Sequence, residues 1–319
     1  EIGSIGEHGN PKAPSRYLTQ ADFKELIDYA AKKHITIVPE IEMPGHYGAA
    51  LRSYPELLAC DPNHPAGMCC PGKESTLRFT EGVLDEVCEL FPSKFIHIGG
   101  DECSKSEWKK CPDCKKRMEE NGLKDYDELQ SWFIKHFDKY LAAKGKRLIG
   151  WDEILDGGLA PEATVMSWRG TVHGVEANRG GLAAAKAGHD VVFTPVDYCY
   201  IDAPQFADST GKKVEDGYRY IGYPPLTNEK IYGYEPTVGF SAKEAEHIMG
   251  VQANLWTEFV SGTEPDMEWR IFPRLLTLAE IAWTLPKEKN YKQFKKRLEV
   301  HRERLVKAGI NAAPIDLKK

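Results

Sequence analysis

No apolar run in this sequence approaches the roughly 20 residues that cross a bilayer as a helix, so no membrane span is expected. A stripe of Lys and Arg interleaved with aromatics is also missing. With 42 Lys and Arg against 48 Asp and Glu, a net charge of −6 and a pI near 6.0, the chain has no field to attract a polyanion, and nucleic acid is excluded as an expected partner. Glu1 to Gly6 lack a positive start followed by an apolar stretch, so no signal peptide is read. Either a cytosolic location or a targeting segment outside this sequence is expected. There is no repeat at a fixed period and no low-complexity segment. Cysteine is neither scarce nor dense: eight residues in 319 fit neither a disulfide framework nor a cysteine-poor chain. Cys111 and Cys114 form a CxxC in a Lys-rich stretch with Cys103 nearby. A disulfide or a metal staple is weighed there against a structural or free-thiol role, and the second is preferred because the surroundings lack the redox-motif context.

What is present is an ordinary globular composition, 41% hydrophobic and 28% charged, which is enough for a large buried core. Short β-branched or apolar runs alternate with longer amphipathic segments, the pattern of parallel strands joined by crossover helices. Six strands are expected: Ile35 to Ile41, Phe95 to Ile98, Arg147 to Trp151, Thr164 to Trp168, Asp190 to Pro195 and Gly250 to Leu255. Thr19 is the expected N-cap of a helix reaching Lys33, and Pro92 ends a second that buries Leu84, Val87, Cys88 and Phe91. Further helical periods run over Leu129 to Leu141, Val175 to Ala187, Trp269 to Trp283 and Tyr291 to Ala308. Long loops are expected at Asp61 to Gly72 and Ala203 to Pro236.

Chemistry gathers at the carboxyl ends of these strands, the face from which barrel enzymes build their sites. The ends read Pro39-Glu40-Ile41-Glu42-Met43-Pro44-Gly45-His46, His97-Ile98-Gly99-Gly100-Asp101-Glu102, Gly150-Trp151-Asp152-Glu153, Ser167-Trp168-Arg169, Asp197-Tyr198-Cys199-Tyr200-Ile201-Asp202 and Asn254-Leu255-Trp256-Thr257-Glu258. Trp151, Trp168 and Trp256 stand at strand ends and suit a sugar, whose ring faces carry C–H groups and whose edge carries hydroxyls. Trp108, Trp132, Trp269 and Trp283 fall in helical segments and read as packing. Gly99 and Gly100 deliver two adjacent carboxylates, yet a retaining glycosidase with a protein nucleophile needs its two carboxyls about 5 Å apart across the scissile bond. Adjacent residues reach that arrangement with difficulty. The exception is substrate assistance, in which the sugar's own acetamido group attacks the anomeric carbon.

From about Leu18 to Trp283 the sequence resembles glycoside hydrolase family 20, the β-N-acetylhexosaminidases, whose signature looks like His97-x-Gly-Gly-Asp101-Glu102. Pro39 to His46, Gly150 to Glu153, Met166 to Gly170, Tyr200-x-Asp202 and Gln252 to Glu258 follow in family order. The resemblance implies a (β/α)8 TIM-type barrel and hydrolysis of terminal non-reducing β-linked N-acetylhexosamine, with retention, through an oxazolinium intermediate. It implies Glu102 as general acid and base and Asp101 as the residue that orients the acetamido N–H. Tyr200 would bind the acetamido oxygen, Asp202 and Glu258 ring hydroxyls, with Trp151, Trp168 and Trp256 lining the pocket and His46 and His97 supporting the acid. Substrates are then N-acetylhexosamine-containing glycans. No cofactor is implied, no metal is assigned to the site, and a secreted or periplasmic location is suggested. The general acid is expected to need an apolar or like-charged setting that raises its pKa.

One departure is plain. Family members resemble one another in two further strand–helix units before Ile35, the first carrying a sugar-gripping Arg, whereas Glu1 to Gln20 is too short for both. Arg16 and Arg52 do not match that Arg. The chain, residues 1–319, is therefore expected to be a single catalytic barrel domain, N-terminally incomplete, with six of eight strands. Self-association through the exposed seam, or a separate N-terminal segment filling it, is expected in consequence. Two rival readings remain: an inactive or sugar-binding fragment, and an ordinary two-carboxylate glycosidase using Glu40, Asp152 or Glu258 as nucleophile.

Overall fold

The computed structural model describes residues 17–206, 223–257 and 263–316. It is an α/β fold whose paired strands run parallel, and it divides into two compact units, one ending at Met166 and the other beginning at Ser167.

In the first unit the helix Gln20–Lys32 starts at Thr19, as expected. The Thr19 hydroxyl accepts from the Asp22 N–H at 3.2 Å, and the Asp22 carboxylate accepts from the Thr19 N–H at 2.7 Å, which satisfies two of the donors a helix start leaves open. The helix Glu74–Leu90 buries Leu77, Leu84 and Val87 and stops before Pro92, which cannot supply the next N–H. Strand β1 (Phe95–His97) pairs with β2 (Arg147–Trp151), with Phe95 opposite Arg147. β2 in turn pairs with β3 (Thr164–Ser167), with Trp151 opposite Met166. The helix Tyr126–Ala143 lies between β1 and β2 in the chain and buries Leu129, Phe133, Phe137 and Leu141, residues at helical spacing.

The expected strand Ile35 to Ile41 does not form. It is reduced to a bridge in which Glu40 pairs with His97, held by Ile41 N–H to His97 O and His97 N–H to Pro39 O, each 2.9 Å. Pro39 has no N–H to extend the ladder, and Ile35 and Val38 are exposed at 60% and 44%. Beside this segment lies an apolar groove of about 370 Å³ lined by Phe23, Ile37, Ile41, Val83, Val87 and Phe91.

In the second unit β4 (Val191–Phe193) pairs in parallel with β5 (Ile248–Val251), and the ladder reappears as a bridge between Tyr200 and Asn254. Both strands are shorter than expected. Helix Arg179–Lys186 begins four residues later than the periodicity at Val175 predicts, because Asn178 takes a left-handed φ of 71° and its side-chain oxygen accepts from the Tyr234 hydroxyl at 2.6 Å. The expected helix Trp269 to Trp283 is two helices, Glu264–Ile271 and Arg274–Trp283, since Pro273 removes a helical donor. Arg274 is fully buried, and its guanidinium donates to the carbonyls of Ala203 at 2.8 Å, Leu226 at 3.3 Å, Ile201 and Arg270. Arg270, in a buried ion pair with Asp266 at 3.1 Å, donates to the Asp202 carbonyl at 2.9 Å. Two cations thus fix the backbone of the Ile201–Ala203 turn.

Each carbonyl left unsatisfied in such a place costs about 1–3 kcal/mol. Arg274→Met, which keeps the stem and removes the donors, should lower the free energy of unfolding by at least about 3 kcal/mol in denaturant titrations. A loss below about 1 kcal/mol would show that the turn holds itself.

Candidate active site

The strand β1 runs out at His97, and Ile98-Gly99-Gly100 carries the chain into Asp101 and Glu102. Gly99 and Gly100 have φ of 68° and 100°. A Cβ on Gly99 would lie 1.9 Å from Glu42 Oε2, so the turn needs both the left-handed conformation and the missing side chain. Glu102 itself has φ 47°, a conformation that costs a non-glycine residue on the order of 1–3 kcal/mol and clusters at functional sites. The two carboxylates emerge in unlike settings. Asp101 is tucked in at 13% side-chain exposure, while Glu102 stands at 57%. His46 Nε2 meets both, 3.4 Å from Asp101 Oδ2 and 3.2 Å from Glu102 Oε2.

Behind this pair sits a second acidic layer from the Glu40 segment. Burial, then the charges of Asp101 and Glu40, push the Glu42 carboxyl up to about 9, so it keeps its proton at neutral pH. Burial also raises Asp101 to about 6, with Glu153 and Glu40 adding to it and the His46 charge opposing it. Burial works against ionisation of Glu40 too, but the hydrogen bond and charge of His97, with the Trp151 N–H, outweigh it and hold that carboxyl below its usual range. Trp151 Nε1 donates to Glu40 Oε1 at 2.9 Å, and His97 Nδ1 lies 3.0 Å from the same oxygen. The Gly99 N–H also points at Nδ1, 3.1 Å away, and one ring nitrogen serves only one of these bonds at a time. His97 and Trp151 are buried and meet edge to face at 4.8 Å.

The first unit therefore brings together Asp101, Glu102, His46, His97 and Trp151 among the residues expected from sequence. In this unit burial lifts the carboxyls of Asp101 and Glu42 above their ordinary range. Glu42 was passed over although Glu40-x-Glu42 at a strand end signals two carboxylates on one face.

In the second unit Trp168, Tyr200 and Trp256 form a row. Trp168 and Tyr200 stack at 6.1 Å between ring centroids, and Tyr200 and Trp256 are tilted at 6.2 Å. Tyr200 and Asp202 are buried. Burial pushes Asp202 up to about 6, against the N–H groups of Asp202 and Trp256 and the charges of Arg274 and Arg270. Burial likewise pushes the Tyr200 hydroxyl up, so it stays a neutral donor. Arg270 and Arg274, which hold this turn, carry no local mark in the sequence beyond two cations four residues apart in a largely apolar stretch. Glu258 lies outside the described residues.

The model of the glycosyl hydrolase family 20 catalytic domain matches residues 1–286. A β-hexosaminidase of Porphyromonas gingivalis is 45% identical over 98% of this chain and 39% of its own length. One from Vibrio furnissii is 35% identical over 82% of this chain and 43% of its own length. The chain thus spans about two fifths of these relatives. Among solved structures, the Vibrio harveyi family 20 exo-β-N-acetylglucosaminidase in complex with N-acetylglucosamine matches with a TM-score of 0.83 and 31% identity, covering 95% of this chain and 47% of that one. The Bacteroides fragilis β-N-acetylhexosaminidase matches with a TM-score of 0.81 and 31% identity over 99% of this chain and 62% of that one. Signature turn, acid pair and aromatic row thus stand within a matched span of most of the chain, and the chain belongs to glycosyl hydrolase family 20 through its catalytic domain.

Proposed function

We propose that this chain carries the catalytic machinery of a β-N-acetylhexosaminidase, which removes terminal β-linked N-acetylhexosamine from glycans with retention at the anomeric carbon. The observation that carries the reading is the unequal pair: adjacent carboxylates, one tucked in and one exposed, meeting a single imidazole. In the first step Glu102 gives its proton to the departing glycosidic oxygen while the acetamido oxygen forms a bond to C1 from the opposite face. Asp101 accepts from the acetamido N–H and offsets the positive charge of the oxazolinium ring. In the second step Glu102, now a carboxylate, takes a proton from water as that water bonds to C1, and the ring reopens. Tyr200 donates to the acetamido oxygen, and Asp202 accepts from ring hydroxyls, Glu258 having the same role. Trp151, Trp168 and Trp256 wall the sugar. His46 sets the spacing of the two carboxylates. Glu42, holding its proton, gives Asp101 a neutral neighbour where a third charge would repel it.

The fold that fits this reading is an eight-stranded barrel of which residues 1–319 form one domain with six strand positions. The apolar groove beside Ile37 and Ile41, with exposed Ile35 and Val38, supports a seat there for further strand–helix units.

Glu102→Gln should depress turnover most on substrates with poor leaving groups, since protonation matters least where the oxygen already departs easily; general acid catalysis is worth typically about 10²–10⁴-fold. Equal losses on good and poor aryl leaving groups would remove Glu102 from that role. Asp101→Asn should cost a comparable factor only on substrates bearing the acetamido group, and unchanged kcat would exclude Asp101 from the mechanism.

Glu42 also marks stability. Its folded pKa of about 9 stands above the ordinary 4.5, so the native state keeps a proton that the unfolded chain releases. Stability from this source is complete below pH 4.5 and is lost as pH rises toward 9, at up to about 1.4 kcal/mol per pH unit. Glu42→Gln has no such proton, so its Tm relative to the unsubstituted protein should climb between pH 5 and pH 8. A constant offset across that range would contradict the assignment.

A further inference from the structure

The CxxC at Cys111 and Cys114 does not stand alone. The fold brings Cys60 and Cys70 onto it, and the four sulfurs lie within 4.8 Å of one another. Cys70 Sγ is 3.6 Å from both Cys111 and Cys114, and Cys60 Sγ is 3.7 Å from Cys114. A disulfide would draw two sulfurs to about 2.05 Å. A tetrahedral zinc with Zn–S bonds of about 2.3 Å holds its sulfurs about 3.8 Å apart along each edge, which is close to the spacing observed. Four thiols alone have little reason to converge, since S–H is a weak donor and sulfur a weak acceptor.

The surroundings suit the ion. Cys111 is the N-cap of helix Pro112–Asn121 and Cys114 lies in its first turn, where the helix dipole favours thiolates. Cys70, Cys111 and Cys114 are buried among Trp108 and Leu129, with Met68, Met118 and Trp132 packed around them, an apolar shell that keeps water off the sulfurs. The exposed lysines Lys109, Lys110, Lys115 and Lys116 flank the CxxC in sequence. The backbone has been brought close for it: a Cβ on Gly72 would lie 2.3 Å from the carbonyl carbon of Asp113. Cys103, the neighbour suggested by sequence, is buried in the same apolar cluster but stays out of the four.

We infer that Cys60, Cys70, Cys111 and Cys114 form a structural zinc site that staples the segment behind His46 to the segment behind Asp101 and Glu102. The connections are short. The Cys69 N–H donates to the Pro44 carbonyl at 2.9 Å and the Tyr47 N–H to the Gly67 carbonyl at 2.8 Å, so the loop that supplies Cys60 and Cys70 grips both flanks of His46. Trp108 Nε1 donates to the Cys69 carbonyl at 2.9 Å, joining that loop to the stretch between Glu102 and Cys111. The site takes no part in bond cleavage. It sets where His46 stands relative to the acid pair.

The test is elemental analysis of the whole chain purified without chelator and with zinc in the growth medium. One zinc per chain is expected, released into a chromogenic chelator in step with titration of four thiols by an organomercurial. Replacing zinc by Co(II) should give the intense visible absorption of a tetrahedral tetrathiolate. Cys103→Ser should retain full zinc content, whereas Cys111→Ser with Cys114→Ser should lose it. Should the double variant fail to fold, the stoichiometry and cobalt spectrum of the unsubstituted protein still decide. Zinc below a tenth of an equivalent, iron in its place, or an intact mass lowered by two or four hydrogen atoms, for one or two disulfides among these cysteines, would overturn the proposal.

Discussion

Asp101 and Glu102 leave the same turn side by side, and consecutive residues reach opposite faces of one substrate ring only with difficulty, which constrains how the pair can share a reaction. The turn that presents them exists because Gly99 and Gly100 accept left-handed backbone and let the Glu42 carboxyl approach where a Cβ would clash. Once the pair is fixed side by side, burial separates the two. Asp101 faces inward against a layer of acids, Glu102 outward, and His46 touches both. A nucleophile on the far face of the sugar must then come from elsewhere, and in the proposed mechanism it comes from the sugar.

The acidic layer is held by a division of charge. Three carboxyls, from Glu40, Glu42 and Asp101, converge in one partly buried region, which is tolerable only if they do not all ionise. Glu40 takes the charge because His97 and Trp151 donate to it, and Glu42 takes the proton because it is buried with acids on two sides. In the other unit, two buried arginines spend their donors on backbone carbonyls to shape the turn between Tyr200 and Asp202. Both arrangements invest buried polar groups in the placement of a few side chains, the use for which such groups are worth their desolvation.

Much of this was legible in the sequence because the relevant signals are local. The Thr19 cap, the stop at Pro92, the strands leading to Asp101 and Trp151, and the acid pair all follow from short-range pattern. Sequence pattern and structure part where a distant partner or a single backbone angle decides. Ile35 to Ile41 reads as a strand on composition, but pairing needs neighbours and donors, and Pro39 with an exposed outer edge leaves only a bridge. Pro273 divides what periodicity joins. Cys60 and Cys70 lie 41 or more residues from Cys111, too far for spacing to associate them, and the nearer Cys103 drew attention instead. Glu42 carried a strand-end signal, yet its proton depends on Asp101 and Glu40, whose proximity only the fold reveals.

In the proposed reaction the substrate's acetamido group, and not a carboxylate of the protein, attacks the anomeric carbon. The most direct measurement is inhibition by the thiazoline analogue of the oxazolinium ring, set beside exposure to a 2-deoxy-2-fluoro glycoside that traps enzyme nucleophiles. Competitive inhibition by the thiazoline is expected, tighter than by N-acetylglucosamine by about two orders of magnitude or more in the manner of intermediate mimics. No covalent adduct is expected in the intact mass after the fluoro sugar. A stable glycosyl adduct on Glu40, Asp152 or Glu258, with no inhibition by the thiazoline, would contradict it.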